Sequence, residues 1–304
     1  MSSYHLDFNP DILPIFLTVA DVKKISAAAE EVHLSQPAVT ARIRNLERQL
    51  GVQLLTRSIE GVRLTPAGKI FYDQAKKIYG LMDEAAFEAR KSRSTKGKLV
   101  LAASTTIASH ILPPIFSKFK KRNPEVSFVL HIGNTEEVLE RVRQGEIALG
   151  LVEGHSRAPA VGLKPFLEDQ IVLIGPASSS FHPRRSRDLS QCPLLSREPG
   201  SGTRSVVERS LRKAGFPGKH FSYAAELGGT EAIKSAVSAG LGFAFVSQWA
   251  VQNEISLKQL SIFPLSDVKI KRLFYWVLPS GGMPNLCLEF FYFVKKNLPS
   301  FPRA

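Results

Sequence analysis

Between Ser35 and Arg63 the chain carries a spacing of polar and basic residues that suits the reading of a polyanion. Ser35 can cap a helix, and Pro37 falls in its first turn, where a missing N–H costs nothing. On that helix Val39, Ile43, Leu46 and Leu50 recur at helical spacing as a buried face. The opposite face carries Pro37, Ala41, Arg44 and Arg48, edged by Thr40 and Asn45, with Gln36 at the tip and Arg42 on a flank. Gln pairs with adenine edges, Thr offers a hydroxyl and a methyl, and Arg neutralises phosphate or reads guanine. Such a helix fits a major groove. The same arginines would also serve on a solvated amphipathic face, and helix periodicity alone does not separate the two.

The elements around the helix narrow the choice. Residues 26–32 read as a short helix capped by Ser26, with three small alanines that allow a close crossing. His33 and Leu34 form a corner, and Gly51 ends the second helix. Residues 52–57 and 62–65 are candidate strands of a wing around Glu60-Gly61, with Arg57 and Arg63 placed for phosphates. An apolar stripe of Ile12, Leu13, Phe16, Leu17 and Val19 supplies a further helix over 10–22.

These residues resemble a known family. The run AAAEEVHLSQPAVTARIRNLERQLGVQLLTR, followed by VRLTPAG, is similar to the N-terminal domain of LysR-type transcriptional regulators. The shared features are Ala28-Ala29, the run from Ser35 to Thr40, Leu46-Glu47, Leu50-Gly51, Arg57, and Leu64-Thr65 with Ala67-Gly68. The resemblance implies a sequence-specific regulator whose main contacts to double-stranded DNA are Gln36, Pro37, Thr40 and Arg57. Two positions depart from it: Lys23-Lys24 replaces a frequent Gly-Ser, and Leu55 stands where many members have Phe.

The totals agree with a polyanionic partner without locating it. The chain has 304 residues and a net charge of +13. Its first 96 residues hold 14 basic against 11 acidic residues, so most of the excess lies beyond the reading helix. Cys192 and Cys287 are too few for a disulfide framework and read as buried thiols, in preference to a redox pair. No apolar run reaches spanning length and no basic-then-apolar leader opens the chain, so the expected place is the cytoplasm, with no membrane contact.

Residues 66–90 contain no Pro after the first and little Gly, and place Ile70, Phe71, Ile78, Leu81, Met82, Ala85 and Ala86 on one stripe. A lone helix of that length is marginal in water, so the stripe calls for a partner, most simply a second copy of the chain. The resemblance implies the same dimerising role, with a homodimer or homotetramer as the assembly. Residues 92–97 read as a hinge.

Beyond Lys98 the pattern alternates. Strands are expected at 99–103, 126–132, 147–152, 171–174, 221–226, 242–246 and 271–278. Helices are expected at 106–122, with Pro113-Pro114 inside it as a kink or restart, and at 135–144, 202–214, 230–239, 247–253 and 286–298. This is an α/β domain. The family resemblance implies two lobes of periplasmic-binding-protein type, crossing at 165–171 and 265–273. The fold class is therefore an all-α-dominated N-terminal winged helix-turn-helix, a long linker helix and a C-terminal two-lobe α/β effector domain. The divisions are 1–65, 66–97 and 98–304, with lobe one at about 98–164 and 272–304 and lobe two at about 165–271.

Ligands of open α/β sheets sit at strand carboxyl ends, near helix N-termini. Three stretches qualify: residues 103–106, the Gly-rich 196–204, and 226–230. Each offers hydroxyls and backbone N–H groups to an oxyanion, and each alone would also serve as a helix cap. By the resemblance, Ser104, Thr106, Ser196, Thr203 and Gly229 line a small-molecule effector site, and SREPGSGTR is similar to the branch of sulfur-assimilation and carbon-fixation regulators. Arg197 and Arg204 could meet an anion, or an arginine could pair with Glu198 at the surface. His110 and His131 read as structural.

Catalytic motifs fail on spacing. Gly200-Ser201-Gly202 is not a nucleophile elbow, Gly240-Leu241-Gly242 lacks a dinucleotide loop's third glycine, and no His or carboxylate pair has metal spacing. No enzyme activity, metal or cofactor is expected. The function expected is transcription regulation modulated by an effector and read out by RNA polymerase. A solute-binding receptor and a constitutive DNA-binding protein are the alternatives.

If Gln36 reads a base edge, Gln36→Ala relaxes sequence preference in a competition binding assay. The salt dependence of non-specific binding stays as it was, because the arginines that neutralise phosphate remain. An unchanged site preference would count against this helix as the reader.

Overall fold

A computed structural model describes residues 9–58, 61–90, 96–154, 161–216 and 223–299. The chain forms two compact units, Met1–Ser92 and Arg93–Ala304.

In the first unit, helices α1 (Ile12–Val22), α2 (Ile25–Glu31) and α3 (Gln36–Leu50) precede a two-stranded wing, β1 (Leu55–Ser58) and β2 (Gly61–Leu64), and a long helix α4 (Pro66–Arg90). Leu13, Phe16, Val19, Ala28, Val39, Leu46 and Leu54 are almost fully buried and form the common core. Ala28 and Ala29 sit at the crossing of the helices, where larger side chains would hold them apart. The expected cap of α2 is corrected. Apolar Ile25 packs on the core, so the helix starts there, behind an extended Lys24, and Ser26 lies inside its first turn. Ser35 does cap α3, accepting the Ala38 N–H at 3.3 Å. Gly51 closes α3 in the left-handed region at φ 69°.

Thr65 anchors the start of α4. Its hydroxyl donates to the Gln53 carbonyl at 2.7 Å and accepts the Gly68 N–H at 2.8 Å. A Cβ at Gly68 would fall 1.9 Å from the Leu54 carbonyl oxygen, so only glycine lets this helix meet the wing. Phe71, Tyr72 and Ala75 turn inward, with Phe71 edge-on to Phe16 at 5.2 Å. Within this unit Ile70, Ile78, Leu81 and Met82 remain exposed, Ile70 and Leu81 by more than 60%.

The second unit runs β3 (Gly97–Ser104), α5 (Leu112–Arg122), β4 (Val126–Gly133), α6 (Thr135–Arg143), β5 (Gly150–Glu153) and β6 (Val161–Pro176). It continues with β7 (Leu194–Arg197), α7 (Gly202–Lys213), β8 (Tyr223–Leu227), α8 (Thr230–Ser238), β9 (Phe243–Ser247), α9 (Gln252–Ser256), β10 (Leu260–Ile262), β11 (Ile270–Pro279) and α10 (Asn285–Lys296). The strand order is β4-β3-β5-β11-β6-β9-β7-β8, with β10 on β6. β3 runs parallel to β4 and β5, and β7 runs parallel to β8 and β9. These triplets are the sheets of two lobes. The long antiparallel pair β6 and β11 joins them, in register from Ile171↔Ile270 to Val161↔Pro279. Each lobe buries apolar side chains on both sheet faces, as parallel sheets require.

Several expectations change in detail. Residues 171–174 are the tail of a 16-residue strand. Pro165, which has no N–H to give the ladder, stands at the register shift between Phe274 and Tyr275. β7 and β10 are too short to show a period in sequence, so Ser196 and Arg197 belong to a strand instead of a loop. The helix expected over 106–122, with Pro113-Pro114 as a kink or restart, is present and passes through a π turn just before the prolines. Pro113 and Pro114 cannot donate to residues four back, and the Leu112 N–H reaches the Ile107 carbonyl, five back, in a π turn over Ile107–Ile111. The helix expected over 247–253 is a single 3-10 turn, Gln248–Ala250, followed by α9.

The Gly68 contact is backbone on backbone and cannot relax by rotating a side chain. Gly68→Ala should therefore destabilise the first unit by about 1–3 kcal/mol, measured by denaturant unfolding. A change below 0.5 kcal/mol, on the scale of ordinary surface substitutions, would contradict this packing.

Candidate DNA-reading helix and effector cleft

Burial of Val39, Ile43 and Leu46 fixes which face of α3 is free. Ser35, Gln36, Pro37, Arg42, Arg44 and Arg48 are exposed, and Thr40 is half-buried at the edge. Arg63 is exposed on β2. Arg57 pairs through its backbone with Val62, and its side chain lies outside the described residues. Sequence reasoning passed over the work of Glu47. Its Oε1 accepts the N–H groups of Leu54 and Leu55 at 2.8 and 3.0 Å, tying the end of α3 to the start of the wing.

In the second unit the carboxyl ends of β3, β5, β7 and β9 converge with the start of α8. Ser104 ends β3. It is 2% exposed, and its hydroxyl has no partner among the described residues. Thr106 is buried and its N–H donates to Glu153 Oε1 at 2.8 Å. Between them, Thr105 meets Thr230 of the other lobe, oxygen to oxygen at 3.2 Å. Arg197 Nη1 donates to both hydroxyls, at 3.2 and 3.0 Å. Arg197 is 4% exposed and forks onto Glu198 at 2.7 and 2.8 Å, so the expected surface pair has a buried arginine and a half-buried carboxylate. Glu198 Oε2 also accepts the Gly229 N–H at 3.2 Å. Burial alone would raise the Glu198 pKa, but the Arg197 hydrogen bonds and charge outweigh it and hold it below the usual value.

Ser196 is buried beside this site, with its hydroxyl on the Arg197 carbonyl at 3.1 Å. Arg204 is engaged by Glu208, Glu226 and the Arg197 carbonyl. His110, on the π turn, lies 3.3 Å from Glu231 of the opposite lobe. Burial and then the Lys234 charge keep its pKa below normal. His131 is exposed on the edge strand β4.

Thr203, like Thr106, is turned onto Glu153. Its hydroxyl donates to Glu153 Oε2 at 2.9 Å and accepts from Arg272 Nη1 at 2.8 Å. It belongs to a buried ionic cluster beneath the cleft. Arg272 on β11 binds Glu153 at 2.8 Å and Asp169 of β6 at 2.6 Å, and Asp169 accepts from Ser247 at 2.7 Å. Burial pushes the Glu153 pKa upward, but Arg272, Arg197 and the Thr106 N–H prevail and draw it down to about 2. Asp169 shares the same cation beside a second carboxylate. There burial wins and its pKa is raised. Composition gave no sign of this cluster, because Glu153 stands at the end of an apolar run and Arg272 in a strand.

The two cysteines lie in separate cores. Cys192 packs in the second lobe, where burial and Asp188 push its thiol up to about 11, and Cys287 packs in the first. The described residues contain no cluster of metal-ligating type, and no described helix is long and apolar enough to cross a membrane.

A winged helix presenting a polar, basic reading face, on one chain with a two-lobe domain that gathers hydroxyls and an arginine at its cleft, defines a ligand-responsive DNA-binding protein. The chain matches the bacterial regulatory helix-turn-helix model of the lysR family over residues 11–69 and the LysR substrate binding domain over residues 92–299. It belongs to the LysR family of DNA-binding transcriptional regulators with an effector-binding domain. It is 34% identical over 270 residues to the HTH-type transcriptional regulator CysL of Bacillus subtilis (strain 168), covering 86% of this chain and 88% of that protein. It is 31% identical over 296 residues to a probable RuBisCO transcriptional regulator of Trieres chinensis, covering 94% and 96%. Its second unit shares the fold of the Synechocystis PCC6803 CcmR regulatory domain, solved in complex with 2-PG, with a TM-score of 0.60, 24% identity, and 68% and 100% of the two chains covered.

Two outcomes follow from the buried cluster. Arg272→Met leaves two buried carboxylates without their cation and should cost about 3–5 kcal/mol in the unfolding of the second unit. The depressed pKa of Glu153 means that its contribution is complete above about pH 4.5 and is lost as the pH falls toward 2. Glu153→Gln should flatten that acid limb of stability. An unaltered acid limb would contradict the assignment.

Proposed function

We propose that the chain binds promoter or operator DNA as a homodimer or homotetramer, reading sequence with Ser35, Gln36, Pro37 and Thr40 and holding phosphates with Arg42, Arg44, Arg57 and Arg63. The exposed Ile70, Ile78, Leu81 and Met82 of α4 support assembly through that helix. The division into reading domain (1–65), linker helix and hinge (66–97) and effector domain (98–304), with lobes meeting near 164–165 and 271–272, is the working unit of this reading. The protein acts in the cytoplasm and by binding, without a catalytic step of its own.

The effector is a small anion seated between the lobes near Ser104, Thr106, Ser196 and Gly229, with Thr105, Arg197 and Thr230 beside them. Thr203 couples this seat to the buried cluster. The observation that carries the reading is Arg197, which hydrogen-bonds hydroxyls of both lobes at once. A ligand bound there changes the relative free energy of lobe arrangements, which alters subunit spacing, DNA bending and contact with RNA polymerase. The 2-PG bound by the CcmR domain makes that compound a first probe.

The test is a footprint of the full-length protein on its upstream DNA, with and without 2-PG, inorganic phosphate and sulfate. The expected result is a footprint that shifts or shortens with one of these anions, and a shift that disappears in Ser104→Ala/Thr105→Val. A footprint indifferent to every anion, or a shift that survives in the variant, would contradict this seat.

A further inference from the structure

The anion seat is already filled by this chain's own carboxylate. Arg197 offers two parallel N–H groups, and Glu198 takes both. Gly229, which stands immediately before α8, offers its N–H, and Glu198 takes that as well. A guanidinium fork plus a backbone N–H at a helix start is what a carboxylate, sulfate or phosphate ligand requires. Ser104, one residue before Thr105, keeps a buried hydroxyl without a partner among the described residues, ready for a further oxyanion oxygen. Yet the Glu198 side chain is 23% exposed, so it has a way out to solvent.

We infer that Glu198 is a resident competitor, a tethered carboxylate that an effector oxyanion must displace from Arg197 and Gly229. The inference rests on the cleft reading above and specifies how that cleft is regulated. Displacement has a built-in route to the other lobe. Pro199 and Gly200 follow Glu198 directly, and their carbonyls accept from Asn134 Nδ2 at 3.3 Å and the Glu136 N–H at 3.2 Å, at the start of α6 in the first lobe. Proline fixes φ, so a swing of Glu198 is passed to this turn instead of being absorbed. The tethered carboxylate also sets a threshold. Its effective concentration at Arg197 is high, so weak or dilute anions do not displace it. A doubly charged oxyanion with more acceptor oxygens does.

The test is calorimetric titration of the full-length protein with inorganic sulfate, inorganic phosphate and 2-PG, in wild type, Glu198→Gln, Glu198→Asp and Arg197→Gln/Glu198→Gln. Glu198→Gln should bind at least one of these anions ten or more times more tightly than wild type, and the double variant should lose that gain. Glu198→Asp keeps the charge, shortens the reach and should fall between, which retains a test should the Gln variant fold poorly. Wild-type affinity or weaker in both Glu198 variants overturns the resident competitor. In that case, binding that still requires Arg197 leaves the anion cleft standing, whereas binding indifferent to Arg197 removes the cleft as well.

Discussion

Arg272 is the side chain on which the effector domain turns. It rises from one crossover strand and grips Asp169 of the other, while its second nitrogen holds Glu153 of the first lobe and Thr203 of the second. A buried ion cluster is a weak source of net stability, since desolvation consumes most of its Coulomb energy. What it supplies is geometry. Broken on one side it leaves an unpaired buried charge, so the two long strands keep one register and the lobes keep a defined set of relations. Four strand ends deliver their last residues to this point, and the proposed effector cleft lies beside it.

Above the cluster the two lobes meet through directed polar contacts. Thr105 to Thr230 and Arg197 to Thr105 run from one lobe to the other, Arg197 also holds Thr230 within its own lobe, and His110 faces Glu231 across the lobes at 3.3 Å. Contacts of this kind are individually modest, and a ligand that replaces them can shift a population of lobe arrangements without opposing a hydrophobic core. The cores themselves are closed on both faces of each sheet and do not share the task. Stability and responsiveness therefore sit in different parts of the same domain.

The DNA-reading unit was legible in the sequence almost residue by residue, because local rules decide it. Ser35 caps, Pro37 enters the first turn, Gly51 ends the helix, and the period of Val39, Ile43 and Leu46 states which face is free. Gly68 was visible as part of a motif, and its reason, a backbone contact with Leu54, was not. In the effector domain the alternation of strands and helices was legible, as were the three stretches that meet at the strand ends. The short strand carrying Ser196 and Arg197 was not, since four residues show no period. The ionic cluster was hidden for a different reason. Glu153, Asp169 and Arg272 are far apart in sequence, and only the strand pairing brings them together. Thr203, expected beside a ligand, is turned toward that cluster by the same convergence.

The central claim is that an oxyanion at Arg197 changes the relation between the two lobes. The most direct measurement is the distance between spin labels at Lys121 in α5 and Arg209 in α7 of the full-length protein, followed while sulfate, phosphate and 2-PG are added. The account predicts a saturable shift in the distance distribution with at least one anion, and no shift when Arg197 is replaced by Gln. One unchanged distribution at saturating anion, with binding verified in the same sample, would contradict it.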